Sequence, residues 1–147
     1  MDKYDKIDEL LNTTCFVIDI LPERVEKDSE GQYFAVEEYY LKLDELSKLS
    51  WKFTDILLKL NCYYDFQVCF HEEWNKNPLP KILAGWIFQC IKDKKGYMNI
   101  LIEGGNAMIT VSGGDLYMTL YNPNDRLMDL IEKLAGAEGL FVWEGMC

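Results

Sequence analysis

At 147 residues and 49% hydrophobic, with a formal charge of −10, the chain is long enough to bury a sizeable core and too apolar for intrinsic disorder. The charge excludes a phosphate-gripping nucleic-acid binder and an electrostatic hold on anionic lipid, since both need clustered Lys and Arg. It leaves basic proteins, cations and neutral ligands as partners, beside simple solubility as the ordinary reason for an acidic surface.

No linker, repeat or low-complexity tract divides the chain, so residues 1–147 are read as one globular domain. The start, Met1-Asp2-Lys3-Tyr4-Asp5-Lys6, lacks the apolar run of a secretory signal. The most apolar stretch, 82–91, contains Gln89 and is about half the length of a membrane span. These features predict a cytoplasmic, non-membrane protein. Five cysteines form an odd set without a C-x-x-C pair. Cys15, Cys62, Cys69 and Cys90 sit in apolar segments and read as reduced core thiols, while Cys147 has no evident role.

Taken in order, residues 2–12 predict a short amphipathic helix with Tyr4, Ile7, Leu10 and Leu11 on one face. Cys15 to Leu21 reads as a strand ended by Pro22, and 22–31 as a charged loop. Residues 32–41 fit either a strand, through Phe34, Val36 and Tyr40, or a helix opened by Glu37-Glu38. From Asp44 the stripe Leu46, Leu49, Phe53, Ile56, Leu57, Leu60 specifies a helix that stops near Asn61. Tyr64, Phe66, Val68 and Phe70 alternate with polar neighbours as a half-buried strand. Asn75 to Pro80 is turn-like. A helix follows that buries Ile82, Leu83, Trp86, Ile87, Cys90 and Ile91 and closes at Gly96.

The last third has the most internal consistency. With Gly104-Gly105 and Gly113-Gly114 as tight hairpin turns, Ile102, Ile100 and Met98 face Ala107, Ile109 and Val111. Across the second turn Val111, Ile109 and Ala107 then face Leu116, Met118 and Leu120. All fall on one face, which must be buried, because a one-residue slip would expose the whole set. Asn122-Pro123-Asn124 opens a helix with the stripe Leu127, Leu130, Ile131, Leu134, and Leu140 to Trp143 is a final short strand for which parallel pairing is open. The fold class is therefore α+β, with a mainly antiparallel sheet, a C-terminal three-strand meander and helices packed mostly on one face.

No catalytic or cofactor motif stands out, and the chain leans away from an enzyme. His71, in Phe70-His71-Glu72-Glu73-Trp74, lacks the ligand spacing of a zinc site and reads as a strand-end histidine in a polar turn. The glycine pairs lack the Lys-Ser/Thr of a phosphate loop, and the acidic run 23–45 does not match a calcium loop. No cofactor and no metal is expected.

The second face of the meander is the candidate binding surface. Asn99, Thr110 and Tyr117 fall in one row, Leu101, Met108 and Thr119 in the next, and Glu103, Asn106 and Tyr121 at the rim. Such a mixture of Tyr, Met, Asn and Thr suits interfaces and ligand-lined sheets, with cover by a helix or the N-terminal segment over part of it as the blander outcome. In being small, acidic and aromatic-rich the chain resembles bacterial immunity and antitoxin-type proteins as a class, though no residue motif carries the resemblance. Two functions follow as expectations. The first is a protein-binding module, an immunity- or antitoxin-type partner of a basic effector, as monomer or homodimer. The alternative is a small-molecule binder or modest enzyme with an aromatic-lined pocket near His71.

Overall fold

The computed structural model describes residues 2–147. Five helices and a seven-stranded antiparallel sheet run in the order α1 (Lys3–Leu10), β1 (Cys15–Asp19), α2 (Tyr33–Tyr40), α3 (Leu43–Asn61), β2 (Phe66–Phe70), β3 (Glu73–Lys76), α4 (Pro80–Ile91), β4 (Tyr97–Ile102), β5 (Ala107–Ser112), β6 (Met118–Tyr121), α5 (Asp125–Ala137) and β7 (Phe141–Glu144). The strand order across the sheet is β3-β2-β4-β5-β6-β1-β7, with every neighbour antiparallel. The α+β architecture with its central meander matches the expectation from the sequence.

Helix formation follows local chemistry. Asp2 caps α1 by accepting from the backbone N–H of Tyr4, and Asn124 caps α5 by accepting from that of Leu127. Pro80 opens α4, where its missing N–H costs nothing. The apolar stripes of α3, α4 and α5 all turn to one face of the sheet, where Phe53, Ile87 and Ile131 meet Phe66, Ile100 and Ile109 in a single core. Ile82 departs from the expected stripe and is exposed. Residues 32–41, open between strand and helix, form α2. The final strand pairs antiparallel with β1, with Val17 opposite Trp143.

Two hairpins differ from the sequence reading, each for a physical reason. Phe70 pairs with Glu73, so His71-Glu72 is a two-residue turn with both residues at positive φ, 51° and 65°. That backbone belongs to the primed turns that Asn-Gly favours. Nothing in His-Glu announces it, and β3 therefore lay hidden in a segment read as turn. In the second meander hairpin Val111 pairs with Met118, not Leu116, a slip of two residues that keeps parity and hence the buried set. Gly113 does not make a tight turn. Its N–H donates to the carbonyl of Gly96, and a Cβ there would sit 2.8 Å from the backbone carbon of Lys94. The wider loop lets Leu116 drop into the core, where burying a leucine contributes about 1.5–3 kcal/mol.

Candidate functional site

The outer face of the sheet, opposite α3, α4 and α5, is divided in two. Over β4 and β5 lies α1, whose Ile7 and Leu10 cover Leu101 and Met108 in a small second core flanked by Trp74 and Tyr121. Tyr4 meets Trp74 edge-on with ring centres 5.6 Å apart, and the Lys6 ammonium donates to the side-chain oxygen of Asn106. Over β6, β1 and β7, among the described residues, no helix seals the face as α1 does, and α2 contributes only a side wall. There the sheet floors a cleft of about 630 Å³.

The cleft is built from separate parts of the chain. Alternation along β1 puts Val17 and Asp19 on this face while Ile18 enters the main core. Thr119 and Tyr121 of β6 lie beside them, with Thr119 paired to Val17. Trp143 comes from β7, Asp115 and Tyr117 from the loop before β6, and Tyr33, Val36 and Glu37 from α2. Glu23 and Arg24 stand on the loop between β1 and α2. The last wall is the segment Gly145-Met146-Cys147, fixed by a disulfide between Cys15 and Cys147 and by the Gly145 N–H donating to the carbonyl of Cys15. A Cβ at Gly145 would sit 3.1 Å from the Cys15 sulfur and from Val17, so any larger residue here must push its neighbours aside by a few tenths of an ångström.

This disulfide corrects the expectation of reduced thiols for Cys15 and gives Cys147 a role. Cys69 and Cys90 are free and buried, and burial pushes the Cys90 thiol up to about 12, which leaves it unreactive. Cys62 is free but exposed at the end of α3, not in the core.

Of the six residues singled out from the sequence, the structure brings Tyr117, Thr119 and Tyr121 together in the cleft. Thr110 and Asn99 are half-buried on the same face, paired with each other and outside the cleft lining. Met108 is fully buried under α1 and presents nothing to a partner. The two-residue slip re-pairs the expected rows: Thr110 now stands opposite Thr119, Met108 opposite Tyr121, and Tyr117 leaves the sheet for the rim.

The electrostatics of the cleft are one-sided. Four carboxylates, Asp19, Glu23, Glu37 and Asp115, face one guanidinium, Arg24, which donates to the thioether sulfur of Met146 and not to a carboxylate. Among the described residues neither Asp19 nor Asp115 takes part in an ion pair. Burial raises the pKa of both above the ordinary carboxylate value, although the Ile20 N–H, 2.7 Å from Asp19 Oδ1, opposes the shift there. Burial also raises the phenols of Tyr33, Tyr117 and Tyr121, and for Tyr33 and Tyr117 nearby acidic groups add to it. The Trp143 indole N–H is buried and turned toward Asp19, close enough to oppose the rise in its pKa but short of full hydrogen-bond geometry.

His71 lies apart from the cleft. Its ring packs on Phe70 at 4.0 Å between centres, and Nε2 is 3.0 Å from the amide of Gln89. A second, more open cleft of about 410 Å³ runs along α1 and the Glu103–Asn106 turn and does not reach His71 either. Among the described residues no three His, Cys, Asp or Glu side chains gather as metal ligands, and no helix is long and apolar enough to cross a membrane. Fold and site together define an α+β domain with an acidic, aromatic-lined cleft. No protein-family model matches the chain, and comparisons with curated proteins and with solved structures give no significant match.

Proposed function

We propose that the protein is a protein-binding module that docks a basic partner through α2 and the rim of the cleft. The observation that carries this reading is α2 itself. It buries none of its eight residues, yet displays Tyr33, Phe34, Val36 and Tyr39, with Phe34 79% exposed, beside the acidic pair Glu37-Glu38. Aromatic side chains clustered on a surface are the composition of binding interfaces. The surrounding negative charge accelerates encounter with a basic surface and disfavours acidic ones. An immunity- or antitoxin-type partner of a basic effector is the specific form proposed. The cleft lies away from His71, where the alternative reading expected its aromatic pocket, and this favours the protein-binding reading.

The decisive experiment uses the wild-type chain and a Phe34→Ser, Tyr39→Ser variant as bait in native lysate, followed by titration of the purified captured protein. A stoichiometric basic partner should bind the wild type, weaken as salt rises, and bind the variant at least roughly 30-fold less tightly, as loss of interface anchors implies. Capture of no stoichiometric partner, or equal capture by both baits, would overturn the reading. The cytoplasm is the location proposed from the sequence, whereas a formed Cys15–Cys147 bond suits an oxidising compartment. Alkylation of the free thiols in intact cells, followed by mass measurement, separates the two.

A further inference from the structure

We propose that the outer-face cleft is a receptor for a single guanidinium or ammonium group, supplied as an Arg or Lys side chain of the basic partner; this rests on the docking surface proposed above. The cleft opens beside α2, because Tyr33, Val36 and Glu37 form one of its walls. A partner seated on Phe34 and Tyr39 therefore has the cleft within reach of its neighbouring side chains. The volume of about 630 Å³ falls in the range of sites that enclose small organic groups and far exceeds what a bare ion needs.

The lining selects for cationic, planar or alkylated groups. Tyr33, Tyr117 and Tyr121 and the indole of Trp143 provide aromatic walls, and a cation over such a face gains more as it is desolvated. Asp19 and Asp115 come from different elements, β1 and the loop before β6, and each lines the cleft with a carboxylate that a guanidinium or ammonium donor would pair with. The Thr119 hydroxyl on the floor adds a neutral acceptor. An anion would face four carboxylates, and a wholly apolar ligand would desolvate Asp19 and Asp115 further with no added cation to offset it. A metal ion lacks the clustered ligand set. The desolvation that raises both aspartyl pKa values also strengthens their attraction for an entering cation.

Titration with N-acetyl-arginine amide, with its neutral citrulline counterpart and with a hexa-arginine peptide tests this. The readout is the Trp143 indole N–H resonance, assigned by Trp143→Phe. The arginine compounds should shift it saturably, the peptide at lower concentration than the amide, and citrulline should not. An Asp19→Asn, Asp115→Asn variant, shown folded by its amide spectrum and thermal melt, should bind at least roughly tenfold more weakly. Binding should also weaken as pH falls through the raised aspartyl pKa values. Equal responses to arginine and citrulline, or undiminished binding by the double variant, would overturn the proposal. The amide binding as tightly as the peptide would overturn the protein source and assign the site to a small free amine. If the purified partner depends on Phe34 but not on Asp19 and Asp115, the docking module stands and the cleft receptor falls. If arginine binding depends on the aspartates while no protein partner is captured, the docking reading falls and the cation site survives.

Discussion

The two halves of the outer face start from one sheet and end with opposite properties. Beneath α1, Leu101 and Met108 are covered by two aliphatic side chains, and the surface is closed. Beyond Tyr121, the same face carries Val17, Asp19, Thr119 and Trp143, and what stands above it is loop, tail and the flank of α2. The difference lies in which strand supplies the residues. At their Leu101–Met108 pair β4 and β5 put apolar groups outward, which a short amphipathic helix can seal. β1 puts an aspartate outward, and an apolar helix laid over it would bury a carboxylate that pairs with no cation among the described residues.

Breaking the covalent wall of the open half should have the largest effect. Reduction of Cys15–Cys147, or Cys147→Ser, should lower stability by up to about 4–5 kcal/mol in chemical denaturation, as expected for a cross-link closing a loop of this length. The Trp143 resonance should shift while α1 signals do not. On the closed half, Met108→Ala should cost about 2–5 kcal/mol, whereas Tyr117→Ala at the half-exposed rim should cost clearly less, both from urea midpoints. Similar costs for the two would mean the halves are not distinct.

The smallest effect concerns the aspartates. Both have folded-state pKa values raised by burial, so the folded protein holds their protons more tightly than the unfolded chain. Stability then falls as pH rises from the unfolded value through the raised folded one, and the ionised groups destabilise the fold at neutrality. Asp19→Asn and Asp115→Asn should each raise the melting temperature at pH 7, with the gain vanishing below the ordinary carboxylate range. Lower melting temperatures at pH 7 would show that these carboxylates are held by favourable partners.

What the sequence disclosed was whatever has a local period. The stripes of α3 and α5 and the inner face of the meander were legible, because a one-residue error would have exposed every large side chain. The two-residue slip at Val111 was not, since parity is unchanged and only the fit of Leu116 and Gly113 decides it. The apolar face of α1 was visible, but its landing place on Leu101 and Met108 was not. Tyr117, Thr119 and Tyr121 were found by register, while Asp19 and Trp143 join them only because β1 inserts between β6 and β7 across more than a hundred residues. An odd set of five cysteines carries no sign of which two will meet.

The bond between Cys15 and Cys147 spans 132 positions, so it closes nearly everything into one covalent ring. All seven strands and helices α2 to α5 belong to that ring; α1 is the one helix outside it, joined through residues 11–14. The cover of the closed half is thus a pendant, restrained by Ile7, Leu10, the Tyr4 ring and the contacts of Lys3 with Trp74 and Lys6 with Asn106, whereas the cleft is stitched into the loop. Under native conditions the amides of α1 should exchange with solvent well before those of β5 beneath it, in an opening that leaves the ring intact. The half of the face that looks sealed is the half that can be uncovered without unfolding the rest.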